Sequence, residues 1–265
     1  MMHINPFDTY RAGESFWHRL DSRVKLALTL AFVLCVSLTP AGAWPVYILL
    51  LSLVLAASIL SELGVVFVLR RSLVALPFAL AALPLLVTVK GPALFSIAVG
   101  SWVLAVSAAG LERLVSIALK SWLSVQMAIL LTSTTPLPDL LVAMRALRLP
   151  KLLVAILGLM WRYLAVLGDE ALRMIRAREA RSGSRDERSG GTLGWRARVT
   201  GAMAGSLFLR GYERSERIYN AMLARGYDGT IRSFPLRPVP AKERLLLLLA
   251  LLLLVALLLL GYIMS

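Results

Sequence analysis

Residues 245–265 read LLLLLALLLLVALLLLGYIMS. This uncharged stretch matches the about 20 residues that a helix needs to cross the hydrocarbon core of a bilayer, and Lys242-Glu243-Arg244 marks where it begins. The rest of the 265-residue chain shares its character. Hydrophobic residues make up 58% and charged residues 17%, with a mean hydropathy of +0.76, against about 45–50% and 25% in soluble domains. The expected fold class is an all-α polytopic membrane protein, with about five transmembrane helices and long amphipathic helices outside the bilayer.

The chain nevertheless carries a formal charge of +14, and the excess is local. Residues 140–244 hold 20 basic against 9 acidic side chains, a net +11, whereas residues 1–139 hold 9 against 6, and 245–265 hold none. Cys35 is alone, so no disulfide framework or paired-thiol motif exists. The polar N-terminal stretch lacks the pattern of a cleaved signal.

Leu26 to Ser61 is uncharged and too long for one crossing. Its break is Pro40-Ala41-Gly42-Ala43-Trp44-Pro45, which predicts spans at about 22–39 and 45–62. A similar stretch, Ser72 to Leu111, is interrupted at Lys90-Gly91-Pro92 and predicts spans at about 73–89 and 93–109, the first containing Pro77 and Pro84. Prolines are tolerated inside a helix bundle, where neighbours satisfy the freed carbonyls. Ser121 to Pro138 contains Gln126 and Thr132-Ser133-Thr134-Thr135 and is expected to be partly embedded. Arg19, Arg23 and Lys25 before the first span, Arg70 and Arg71 between the second and third, and Arg113 and Lys120 after the fourth place those ends in the cytoplasm. The N-terminus and the basic segment are then cytoplasmic, and the last helix leaves outward.

Within the basic segment, Ile156, Met160, Tyr163, Leu167, Ala171 and Met174 recur at helical spacing, predicting an amphipathic helix from Leu152 to near Arg181. Ser182-Gly183-Ser184 and Gly190-Gly191 read as a loop. A second helix runs from about Leu193 to Arg225, with Gly226 as its stop. The helices end alike, in Ala180-Arg181-Ser182 and Ala224-Arg225-Gly226. Small neighbours allow close approach by a partner, and a guanidinium can be held bidentately by a carboxylate. The same charges would also suit a surface facing lipid headgroups or simply complement the helix macrodipole.

These paired ends, followed by a highly apolar terminal helix, resemble the transmembrane T component of energy-coupling factor (ECF) transporters. Trp17-His18-Arg19-Leu20-Asp21-Ser22-Arg23-Val24-Lys25-Leu26 is similar to that family's entry to its first span, and Phe7-Asp8-Thr9-Tyr10 resembles the cobalt and nickel (CbiQ-like) branch. Ser22 stands where the family often has Pro, and Ser182 where the first motif often has Gly. The resemblance spans essentially the whole chain. It implies a non-catalytic coupling subunit of an importer for a transition-metal ion, cobalt first and nickel next, in the bacterial cytoplasmic membrane. It also implies two ATP-binding cassette ATPase partners, engaged through Arg181 and Arg225, and a substrate-binding membrane subunit, with or without a small accessory membrane subunit. The segments then read as a cytoplasmic N-terminus (1–21), a four-helix membrane part (22–111), partly embedded helices (112–149), a cytoplasmic coupling domain (150–240) and a terminal membrane helix (241–265).

The residues themselves offer no phosphate-binding Gly-Lys-Ser/Thr loop, no His-Glu-x-x-His and no Gly-x-Ser-x-Gly. No cofactor or metal site is expected, since His3, His18 and Cys35 do not make a converging ligand set. His18 reads as structural or interfacial. Asp169-Glu170 and Asp186-Glu187 read as ion-pair partners of nearby arginines, and beyond Tyr212 and Tyr219 the basic helices lack the interleaved exposed aromatics of a nucleic-acid binder. Anionic lipid and acidic protein are the expected counterparts. The alternative is a self-contained channel or secondary carrier whose basic segment binds lipid. It would require ionisable groups deep in the spans, yet Glu62, Arg70, Arg71 and Lys90, the charges between 26 and 111, lie near predicted span ends.

Overall fold

The computed structural model describes residues 10–89, 93–99, 102–182, 192–229 and 238–264, in two compact units, one formed by 1–147 with 236–265 and the other by 148–235. In chain order the first unit contains α1 (Phe16–Arg19), α2 (Ser22–Leu38), α3 (Trp44–Leu60), α4 (Val65–Ser72), a 3-10 turn (Leu73–Ala75), α5 (Leu76–Ala81), α6 (Leu85–Thr88), β1 (Ala93–Val99), β2 (Trp102–Ser107), α7 (Ala108–Thr134) and α8 (Leu137–Ala146). The second unit contains α9 (Lys151–Ser182) and α10 (Leu193–Ala224), after which α11 (Ala241–Met264) returns to the first.

The core of the first unit is built by α2, α3, α7 and α11. Phe32 and Val36, Val46, Leu50 and Val54, Leu123, Met127 and Leu130, and Leu254 and Leu257 form one buried cluster. Only one face of α11 takes part. Leu248 and Leu252, on the remainder, are more than half exposed, as expected of a helix bordering acyl chains.

Hydrogen bonds fix the helix directions. Lys25 Nζ donates to the Thr134 carbonyl (3.1 Å) and Lys120 Nζ to the Ser37 carbonyl (3.1 Å), so α7 runs antiparallel to α2. The Asp21 N–H donates to Glu243 Oε2 (2.8 Å), Cys35 Sγ lies 3.3 Å from the Leu254 carbonyl, and Gly261 packs beside Thr39 and Pro40, so α11 runs parallel to α2. Asp21 caps α2 by accepting from the Arg23 N–H (2.9 Å). Because α8 lies beside the start of α2 and α11 begins there, the chain leaves and re-enters this unit at one end.

Three expectations change. The span predicted at 93–109 is an antiparallel strand pair, with Val99 opposite Trp102 and Ile97 opposite Leu104. Alternation of β-branched and aromatic residues, with Gly100-Ser101 between the strands, suits a two-residue hairpin as well as an apolar helix. The span predicted at 73–89 is broken into the 3-10 turn, α5 and α6, with Pro77 early in α5 and Pro84 as the N-cap of α6. Each proline removes a helical donor. Finally, the region expected as partly embedded helices begins with one continuous helix of 27 residues, α7.

That last change moves Arg113 and Lys120. Lys120 meets Ser37, about 18 Å along α2 from Lys25, so neither residue shares the basic flank of the first span. Both connections to the second unit leave from the Lys25 end of the first.

Among the described residues three helices, Ala108–Thr134, Lys151–Arg181 and Ala241–Met264, are long and apolar enough to cross a membrane, and Trp44–Leu60 is a shorter apolar helix. Gly42 has φ +86°, and a Cβ there would collide with Glu112 Oε1. Gly42→Ala is expected to destabilise the unit by at least about 1–2 kcal/mol through the left-handed backbone alone, read as a lowered Tm in detergent, while Gly64→Ala, with open space around it, carries only the backbone cost.

Candidate functional site: the paired helices and their arginine ends

The two 32-residue helices of the second unit form as their sequence patterns predict. Thr192 caps α10 by accepting from the Trp195 N–H (3.4 Å). The first turns of α9 are apolar and uncovered, with Leu152, Ile156 and Met160 all more than half exposed.

Glu170 joins the helices. One carboxylate oxygen accepts from Arg173 Nη2 (2.6 Å) on its own helix, and the other from Arg210 Nη1 (2.6 Å) on α10. Leu167 packs over Gly211, where an added Cβ would lie 3.5 Å from the leucine methyl. Further along, the Arg178 guanidinium sits 5.8 Å from the centroid of Trp195. Moving toward the C-terminus of α9 thus means moving toward the N-terminus of α10, so the pair is antiparallel. The bonds from Arg173 and Arg210 hold the Glu170 carboxyl below the usual carboxylate range.

An antiparallel pair sends its C-termini in opposite directions. Arg181 lies 11 residues beyond Glu170 and Arg225 lies 15 beyond Arg210, so the arms are about 16 and 22 Å long. The two arginines are thereby separated by up to about 40 Å. Ala180, Arg181, Ala224, Arg225 and Gly226 are exposed. Among the described residues, neither guanidinium has an ion-pair partner.

The ends differ in backbone. After α10 the Tyr227 N–H donates to the Met222 carbonyl (3.0 Å) and the Gly226 N–H to the Leu223 carbonyl (2.9 Å), with Gly226 at φ +80°. This is a Schellman cap, in which glycine supplies the left-handed residue. Arg181 and Ser182, by contrast, are still helical in α9. Ser182 therefore needs no left-handed conformation. The loop residues 183–191, with Asp186-Glu187, lie outside the described residues, as do His3 and Phe7-Asp8-Thr9.

His18 is a structural residue. Nε2 donates to the Arg11 carbonyl (2.9 Å), so Nδ1 accepts from Ser15 Oγ (2.6 Å), and both ring nitrogens are occupied. Among the described residues no group of three or more His, Cys, Asp or Glu side chains could hold a metal ion. The Glu170–Arg210 contact was not legible beforehand. The i,i+3 spacing of Glu170 and Arg173 announced a local pair, but nothing in sequence joins residues 40 apart.

Apolar helices long enough to cross a membrane, together with a pair of long basic helices, define an integral membrane protein. Residues 13–236 match the family model CbiQ, "Cobalt transport protein", and the chain belongs to that family. It is similar to the energy-coupling factor transporter transmembrane protein EcfT of Lactococcus lactis, at 30% identity over 83% of both chains. It is also similar to the cobalt transport protein CbiQ of Rhodobacter capsulatus, at 29% identity over 64% of this chain and 68% of that one. The nickel permease LarQ of Lactiplantibacillus plantarum is 32% identical over 49% of each chain. The chain is thus a multi-pass membrane component of the ECF transport type, a non-catalytic one.

Glu170→Gln is expected to loosen the pair. Hydrogen exchange around 165–175 and 205–215 should rise, with Arg210→Gln giving the same pattern. Because the folded-state pKa of Glu170 is depressed, its contribution is present above the ordinary carboxylate value and is lost as pH falls through the lower, folded value. Wild-type exchange at these segments should therefore approach that of the variant in acid. Gly226→Ala should fray the end of α10 at a cost of about 1–2 kcal/mol, visible as faster exchange at Met222–Tyr227, whereas Ser182→Gly should leave the membrane unit's Tm unchanged.

Proposed function

We propose that the chain is the coupling subunit of an ATP-driven importer for a transition-metal ion, cobalt first and nickel next. The reading rests on one observation above the others. The antiparallel pair presents two exposed arginines at opposite ends, without an ion-pair partner among the described residues and each beside small residues, as an adaptor between two copies of a similar partner requires. Arg181 and Arg225 would each enter a cleft on one ATPase subunit, where a carboxylate can take the guanidinium bidentately. Ala180, Ser182, Ala224 and Gly226 would keep the approach open. Closing of the ATPases on ATP would move the ends of α9 and α10, and the exposed apolar turns at Leu152, Ile156 and Met160 would pass that motion to a substrate-binding membrane subunit, with or without a small accessory membrane subunit. Metal selection would fall to that partner.

The proposed topology has the N-terminus and residues 150–240 in the cytoplasm. Arg19, Arg23 and Lys25 flank α2 at the end from which the second unit is reached, in keeping with the positive-inside tendency. Cobalt is favoured by the description of the matching family, and the nickel permease relative keeps nickel next.

Arg181→Glu together with Arg225→Glu should abolish co-purification of ATPase subunits from native membranes while leaving insertion and Tm of the membrane unit unchanged. Each single substitution should retain a complex with a reduced ATPase-to-subunit ratio. Undiminished ATPase recovery with the double variant would sink the docking assignment. Cellular accumulation of cobalt and nickel, measured with and without the chain, identifies the cargo.

A further inference from the structure

Phe67 of α4 carries two cations on one ring. The Arg11 guanidinium carbon lies 3.9 Å from the ring centroid and that of Arg71 lies 5.8 Å from it. Arg70 adjoins them in the last turn of the helix. All three arginines are exposed, and among the described residues none has a carboxylate within ion-pair distance.

Arg11 is held firmly. Its N–H donates to the Ser133 carbonyl (2.9 Å) and its carbonyl accepts from His18 Nε2 (2.9 Å), while Ser15 Oγ orients the imidazole from the other side (2.6 Å). One guanidinium over Phe67 would suffice to pack the N-terminal segment. A second brings like charges together on one ring, and their repulsion opposes the attraction each has for the ring. An anion in contact with both guanidiniums would offset that repulsion.

The surroundings say which kind of anion. Ser133 precedes Thr134, the acceptor for Lys25, so the cluster stands at the end of the membrane unit flanked by basic residues. Beside it, Val66, Leu73 and Val74 are 75%, 56% and 67% exposed, an apolar surface next to a fixed positive one. A phosphate with attached acyl chains satisfies both, whereas a soluble phosphate uses only the arginines. We propose that Arg11 and Arg71, backed by Phe67 and rimmed by Arg70, form a binding site for the phosphodiester headgroup of an anionic phospholipid, with its chains against Val66, Leu73 and Val74. This assignment rests on the membrane reading of the first unit, but not on ATPase docking through Arg181 and Arg225.

The full chain, purified in detergent with phosphatidylcholine as the background lipid, is titrated with phosphatidylglycerol, and retained lipid is read by native mass spectrometry. Arg11→Gln and Arg71→Gln are each expected to weaken phosphatidylglycerol retention about fivefold, and together about 25-fold, with phosphatidylcholine retention unchanged. Arg19→Gln, an exposed cation outside the cluster, should have no effect. Retention unaffected by the double variant, or reduced equally by Arg19→Gln, overturns the site. Displacement of the lipid by millimolar inorganic phosphate overturns the lipid assignment in favour of a soluble anion. Loss of phosphatidylglycerol binding with ATPase recovery intact would separate this site from the docking proposal.

Discussion

Lys25 brings a charge to a position only 3% exposed, and the first unit is organised around that fact. A buried ammonium is costly unless its donors and its charge are met. Thr134 at the end of α7 supplies a carbonyl, and Asp139, Asp21 and Glu243 lie within electrostatic reach. Those residues belong to, or immediately flank, α8, α2 and α11. The same junction receives the Asp21 N–H bond to Glu243 and the Asp21 cap on α2. Helices distant in sequence are thereby gathered where the chain departs for the second unit and returns from it.

Apolar burial takes over away from that junction. Val36, Val46, Leu50 and Val54 are fully or almost fully buried between helices, while α11 turns one side inward and leaves Leu248 and Leu252 uncovered. Several hydroxyls in this interior bond locally, as Thr39 does to the Cys35 carbonyl (2.8 Å) and Ser58 to the Val54 carbonyl (2.9 Å), whereas the buried Gln126 amide has no partner among the described residues. Such bonds satisfy a hydroxyl without asking anything of a bilayer that has no donors to offer.

Much of this architecture could be read from residues alone, where a punctuating signal accompanied the apolar pattern. Pro40 to Pro45 separated α2 from α3, Gly226 closed α10, and Lys242 to Arg244 opened α11. Between 73 and 107 the signal failed for a physical reason. Short runs such as Ala93–Val99 are as apolar as a helix and as β-branched as a strand, and periodicity does not separate the two at that length. Thr132 to Thr135 made the end of α7 look only partly embedded, although Ser133 and Thr134 are buried against neighbouring helices. At the candidate site, the helices and both arginines were legible, but their antiparallel pairing through Glu170 and Arg210 was not, because it depends on contacts across the intervening loop.

The position of that pairing contact has a mechanical consequence. Glu170 and Arg210 do not sit midway between the two arginine ends, and the arm leading to Arg225 is about 1.4 times as long as the arm leading to Arg181. With the contact as fulcrum, one and the same angular tilt sweeps the capped Arg225 end through a correspondingly larger arc. The pair is a lever with unequal throws, so identical strokes applied at its two tips would turn it by different amounts.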